Sequence, residues 1–150
     1  MFVMDKLYPI LSQMKTSLGE LEGVMIEEFN HLSRPQINPV SLQILTDNKS
    51  QLLSTIRYYD ELRRKEEAEM HISAPYRQQV KLFSCWQQLS EKVESTRKLN
   101  LRVEELLNMH MKTNTQIKQI VTTVGGNNSL YGSTGESHVA PVGGSYRISV

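Results

Sequence analysis

Glu28 and His31 stand three residues apart, a spacing that puts two side chains on one helical face. Glu-x-x-His is half of the ligand pattern with which helical bundles hold a di-metal centre. Such a centre needs a second pair and further glutamates, and the sequence has no second Glu-x-x-His. The expectation is therefore a surface ion pair. Cys85, beside Trp86, is the single cysteine. It would act as a nucleophile only with a histidine close by and a setting that favours the thiolate. A small residue at the edge of a helical stripe is the favoured reading. Arg63-Arg64-Lys65 is a basic cluster, but Glu66, Glu67 and Glu69 follow it, so it reads as a mixed solvated face. There is no Gly-rich loop ending in Gly-Lys-Ser/Thr and no Gly-x-Ser-x-Gly elbow. No catalytic residue, metal ligand or cofactor site is expected.

Composition narrows the remaining classes. The 150 residues carry 17 Lys and Arg against 16 Asp and Glu. That balance argues against a nucleic-acid binder, whose affinity comes chiefly from a basic excess. Aromatics at 7% are few for a sheet-rich core. One cysteine excludes an internal disulfide and a multi-cysteine zinc site. No apolar run approaches the roughly 20 residues that span a bilayer, and the first residues do not resemble a signal peptide. A cytoplasmic protein without membrane insertion is expected.

The elements that would position any site are helices. Leu7, Leu11, Met14, Leu18, Leu21 and Met25 repeat at alternating intervals of four and three, a heptad seam. Ile10, Val24 and Phe29 widen it. Gly19 and Gly23 cost helix propensity, about 1 kcal/mol each, and suggest close helix contact. This helix is expected to end near Ser33, before Arg34-Pro35 and Asn38-Pro39. A second helix starts at Pro39 or Val40 with Asn38 as N-cap. Its stripe is Leu42, Leu45, Leu52, Leu53, Ile56, Tyr59 and Leu62, with Lys49 where a leucine would be expected. After His71-Ile-Ser-Ala-Pro75, a third helix runs from about Tyr76 to Val121, a rod of about 69 Å. Its seam holds Trp86, Leu89, Val93, Thr96, Asn100, Val103, Leu107, His110, Asn114, Ile117 and Val121.

The fold expected is all-α: an elongated antiparallel helical hairpin or three-helix coiled-coil bundle over residues 1–121. Residues 122–150 hold six of the eight glycines and only Glu136 and Arg147 as charges, and read as a flexible tail. Residues 1–33 are net −3 and residues 76–121 net +4. These charges favour packing of the first helix along the third; two separately solvated faces are the alternative. In the third helix, Thr96, Asn100, His110 and Asn114 interrupt the apolar seam, and buried polar groups there weaken packing while fixing register. Leu106, Leu107, Met109 and Met111 form a soft apolar patch beside them. Methionine adapts to irregular partners, which suits a surface that receives another protein's helix. Val103, Leu106, Leu107, Met111 and Ile117 are the candidate partner groove.

Several stretches resemble a known family. Leu45-Thr46-Asp47-Asn48-Lys49-Ser50-Gln51-Leu52-Leu53, with Ile56 and Arg63-Arg64, is similar to the second-helix signature of FlgN-type flagellar export chaperones. Leu99-Asn100 followed by Leu106-Leu107 resembles the third. The most specific part is the tail, with Leu130-Tyr131-Gly132, Gly135, Gly143-Gly144 and the terminal Ile148-Ser149-Val150. The chain departs from the family after Leu-Asn, where Val103 and Glu104 replace a frequent second Asn and a Gly. The resemblance implies a cytosolic helical chaperone of flagellar type III secretion. Its clients would be hook-associated proteins 1 and 3, bound through their C-terminal amphipathic helices. Leu130, Tyr131 and Gly132 would dock the cytoplasmic domain of the export-gate membrane protein, and the export ATPase complex would be a further partner. A purely structural coiled-coil rod is the rival reading, but Lys49, Asn100 and His110 break the uniform seam it would need.

Overall fold

Side chains that recur three and four apart are hidden together by coiling along another helix with the same repeat. The computed structural model, which describes residues 2–112, has three helices built this way: α1 (Phe2–Leu32), α2 (Pro39–Met70) and α3 (Val80–Met111). No strand occurs among the described residues. At ~1.5 Å per residue each helix is about 48 Å long, so the bundle is elongated. The expected continuation of α3 through Asn114 and Ile117 to Val121 lies outside the described residues. So do the domain boundary at 121/122 and the tail.

The chain turns where its sequence dictates. α1 ends at Leu32, and the Phe29 carbonyl accepts from the Ser33 backbone N–H at 3.0 Å and the Ser33 hydroxyl at 2.7 Å. Asn38 caps α2 as expected, its Oδ1 accepting from the N–H groups of Val40 and Ser41 at 3.0 and 3.2 Å, with Pro39 in the first turn. α2 closes on His71, which takes left-handed dihedrals (φ 56°) and donates its N–H to the Glu67 carbonyl. α3 begins at Val80, four residues later than the sequence suggested. The cause is Tyr76: its φ is 60°, outside helical space, and its ring is buried against Trp86, centroids 5.6 Å apart at 84°.

Four side-chain contacts fix the register. Lys6 Nζ lies 3.9 Å from Glu66 and Lys49 Nζ 3.1 Å from Glu28, so α2 runs antiparallel to α1. Lys15 donates to Gln88 at 2.7 Å and Lys92 to Glu22 at 2.9 Å, so α3 runs parallel to it. α1 packs along both partners, whereas the backbones of α2 and α3 hardly approach each other. The acidic first helix therefore lies along the basic third one, and Glu22–Lys92 is an ion pair across that seam.

The core follows the heptads. Leu7, Leu11, Met14, Leu18, Leu21 and Met25 are all fully buried, and they face Leu53 and Ile56 from α2 and Leu82, Trp86, Leu89 and Val93 from α3. Gly19 and Gly23 do not mark close contact. Both are exposed, and a methyl group added at either would meet nothing within 4 Å.

Candidate functional site

The seam of α1 does not stop at Met25. It continues three residues on to Glu28 and four more to Leu32, and both are buried. Glu28 is therefore a core residue and not half of a surface pair. Its partner is the unexpected lysine of α2: Lys49 Nζ is 3.1 Å from Glu28 Oε1, with side chains 0% and 1% exposed. His31 instead donates from Nδ1 to the Glu27 carbonyl at 2.9 Å. The heptad put Glu28 inward, where a bare carboxylate would be strongly disfavoured, and Lys49 compensates it from the facing helix. The contact is electrostatic and poorly directed. Among the described residues, neither Glu28 oxygen nor Lys49 Nζ has a hydrogen-bond partner.

Asn100 lies on α3 at the same height. Glu22 meets Lys92 and Ser95 below it, and His110 Nε2 donates to the Leu32 carbonyl at 2.8 Å above it. The Asn100 side chain is buried, and among the described residues neither Nδ2 nor Oδ1 has a partner. Thr96, one step earlier in the seam, is equally buried but satisfied, its hydroxyl bonding the carbonyls of Lys92 and Val93 at 3.0 Å. The polar interruption expected in the third seam is thus present, and its members differ: Thr96 is self-contained and Asn100 is not.

A second polar cluster locks the other end. Arg63 was expected on a solvated face, yet its side chain is 1% exposed. It donates to Asp60 Oδ1 from Nε at 3.0 Å and from Nη2 at 2.8 Å, and to Glu67 at 2.7 Å. Its guanidinium carbon lies 4.8 Å from the centroid of the Trp86 ring, a cation–π contact. The Tyr76 hydroxyl donates to the same Glu67 carboxylate. Burial opposes the Arg63 charge, but Tyr76, Asp60 and Glu67 outweigh it and hold the guanidinium above its ordinary pKa. Burial and the neighbouring Glu67 push the Tyr76 phenol well above its usual value. Arg63, Tyr76 and Trp86 together tie the 71–79 connection to the start of α3. Arg64 stays at the surface, 3.3 Å from Asp60.

The candidate partner-groove residues separate into two groups. Val103 and Leu107 point into the core, 0% and 5% exposed. Leu106 and Met111 are half-buried against its edge, and Met109 stands out at 65% exposed. Ile117, and the tail residues Leu130, Tyr131 and Gly132, lie outside the described residues. Cys85 is buried at the edge of the stripe, as read from sequence, and burial raises its thiol pKa while Lys15 partly counters this. Among the described residues no cluster of three His, Cys, Asp or Glu side chains is placed to hold a metal ion, and no helix is long and apolar enough to cross a membrane.

The buried charges were the residues that sequence reasoning missed. Their signal was present as spacing: Glu28 falls between Met25 and Leu32, and Arg63 lies seven residues beyond Ile56, both on the seam. On these seams position, not charge, decides burial.

Comparison with known proteins gives a consistent answer. The family model described as FlgN protein matches residues 1–138. The flagella synthesis protein FlgN of Escherichia coli K12 is 33% identical over 147 residues, covering 98% of this chain and all of the relative. The protein of the same name from Salmonella typhimurium is 34% identical with the same coverage. That of Yersinia enterocolitica is 34% identical over 90% of this chain and 91% of its own. No solved structure matches the chain.

Proposed function

Because the chain belongs to the FlgN family, we propose that it is a cytoplasmic chaperone of flagellar type III export. It binds the C-terminal helices of hook-associated proteins 1 and 3, prevents their premature assembly and delivers them to the export gate. The observation that carries this reading is the match to flagella synthesis proteins along nearly the whole chain. An elongated bundle with a polar-interrupted seam agrees with it. A client helix that later polymerises has an apolar face, and a helical partner covers such a face reversibly without any catalytic group.

The client groove lies on the C-terminal half of α3. Leu106 and Met111, with Met109 beside them, form its accessible part, Val103 and Leu107 form its floor, and Ile117, outside the described residues, is assigned to it from the sequence pattern. Leu130, Tyr131 and Gly132 dock the cytoplasmic domain of the export-gate membrane protein, and the export ATPase complex is a further partner. Keeping client capture on α3 and gate docking beyond it lets both contacts exist together.

Titration of the purified chain with the C-terminal segments of the two hook-associated proteins tests the reading. Replacing Met109 and Met111 together with Glu removes an accessible apolar patch and spares the buried Val103 and Leu107. The expected result is client affinity lowered at least tenfold with helicity unchanged by circular dichroism. Unchanged affinity would move the groove off this face of α3.

A further inference from the structure

α3 is held unevenly along its length. Its first half is anchored by Leu82, Trp86, Leu89 and Val93, by the Arg63–Trp86 contact, and by Lys92 on Glu22. Asn100 then brings a buried amide whose donor and acceptor are both without a partner among the described residues. Leaving such groups dry costs free energy that water would return. At the same height the seam of α1 and α2 is occupied by the Glu28–Lys49 pair rather than by apolar side chains. That pair joins α1 to α2, so it survives if α3 moves away. α2 offers α3 almost no backbone contact of its own. Beyond Asn100, Val103 and Leu107 enter the seam, and His110 ties the end of α3 to the Leu32 carbonyl.

We propose that the C-terminal half of α3 detaches from α1 and frays, hinged at the Asn100 layer, in a minor state that exposes Val103 and Leu107 and opens the helical hydrogen bonds around them. Closing buries two apolar side chains and forms the His110–Leu32 hydrogen bond but strands the Asn100 amide; opening reverses all three. The opposing terms keep the two states close in free energy, which is the condition for a populated minor conformer. The use of this opening in client capture rests on the chaperone reading above. The opening itself needs no client, so either can fail alone.

Native-state amide hydrogen exchange on the full chain tests it. Asn100→Leu removes the stranded amide and fills the layer with apolar volume. Protection of amides 103–107 is expected to rise about tenfold, with amides 86–93 unchanged. Thr96→Val is the control, because the Thr96 hydroxyl is already satisfied, and it should leave both segments as they were. If Asn100→Leu does not fold, Asn100→Met gives the same readout with less steric demand. Unchanged protection at 103–107, an equal rise in both segments, or the same rise from Thr96→Val would overturn the hinge.

Discussion

Lys49 and Glu28 are each in the wrong place by composition and in the right place for each other. Taken alone, either would be an uncompensated charge in a coiled-coil seam. Lys49→Ala is expected to destabilise the bundle by about 3–5 kcal/mol, because it strands the Glu28 carboxylate. Replacing both with leucine is expected to be neutral or stabilising by about 1–4 kcal/mol. Chemical denaturation of the two variants checks this, and a double variant no better than Lys49→Ala would mean that the pair contributes through packing rather than charge. What the heptad conveyed at this scale was position: Glu28 and Lys49 both fall on their stripes. Which residue faces which could not be read, because pairing across helices depends on register, and register is set by the ends of the bundle. Arg63 shows the same division. Its seam spacing was legible, but its shielding under Tyr76 and beside Trp86 depends on a turn at 71–79 that helical periodicity does not encode.

Among elements, the charge imbalance between the first and third segments has a physical counterpart in Lys92 Nζ on Glu22 at 2.9 Å. The Lys92 hydrogen bond holds the Glu22 carboxyl below its ordinary value, and Ser95 adds to the effect. A carboxyl with a lowered folded pKa contributes stability above its unfolded pKa and loses it as pH falls through the folded value. Glu22→Gln should therefore be less stable than the wild type at neutral pH, and the gap should narrow as pH falls through the lowered Glu22 value. Urea denaturation at pH 7 and pH 3 measures the difference. Raising salt at pH 7 should shrink it too, since a partly exposed pair is screened over about 8–10 Å. A gap as large at pH 3 as at pH 7, or one that grows with salt, would assign the effect of Glu22 to something other than Lys92. The helices themselves were largely legible: Asn38-Pro39 marked the start of α2 and His71-Ile-Ser-Ala-Pro75 its end. The start of α3 was misplaced because Tyr76 is pulled into the core instead of opening the helix.

For the whole molecule, the proposed function puts client capture and gate docking on separate parts of the chain, α3 and residues 130–132. Tyr131→Ala should then lower affinity for the cytoplasmic domain of the export-gate protein, and with it motility, while client binding stays unchanged. Loss of client binding in that variant would contradict the separation. The chaperone function itself is tested most directly by co-purification from cells that make the full set of flagellar export substrates. The tagged chain should recover full-length hook-associated proteins 1 and 3 in preference to the other substrates. Recovery of neither, or equal recovery of every substrate, would contradict it.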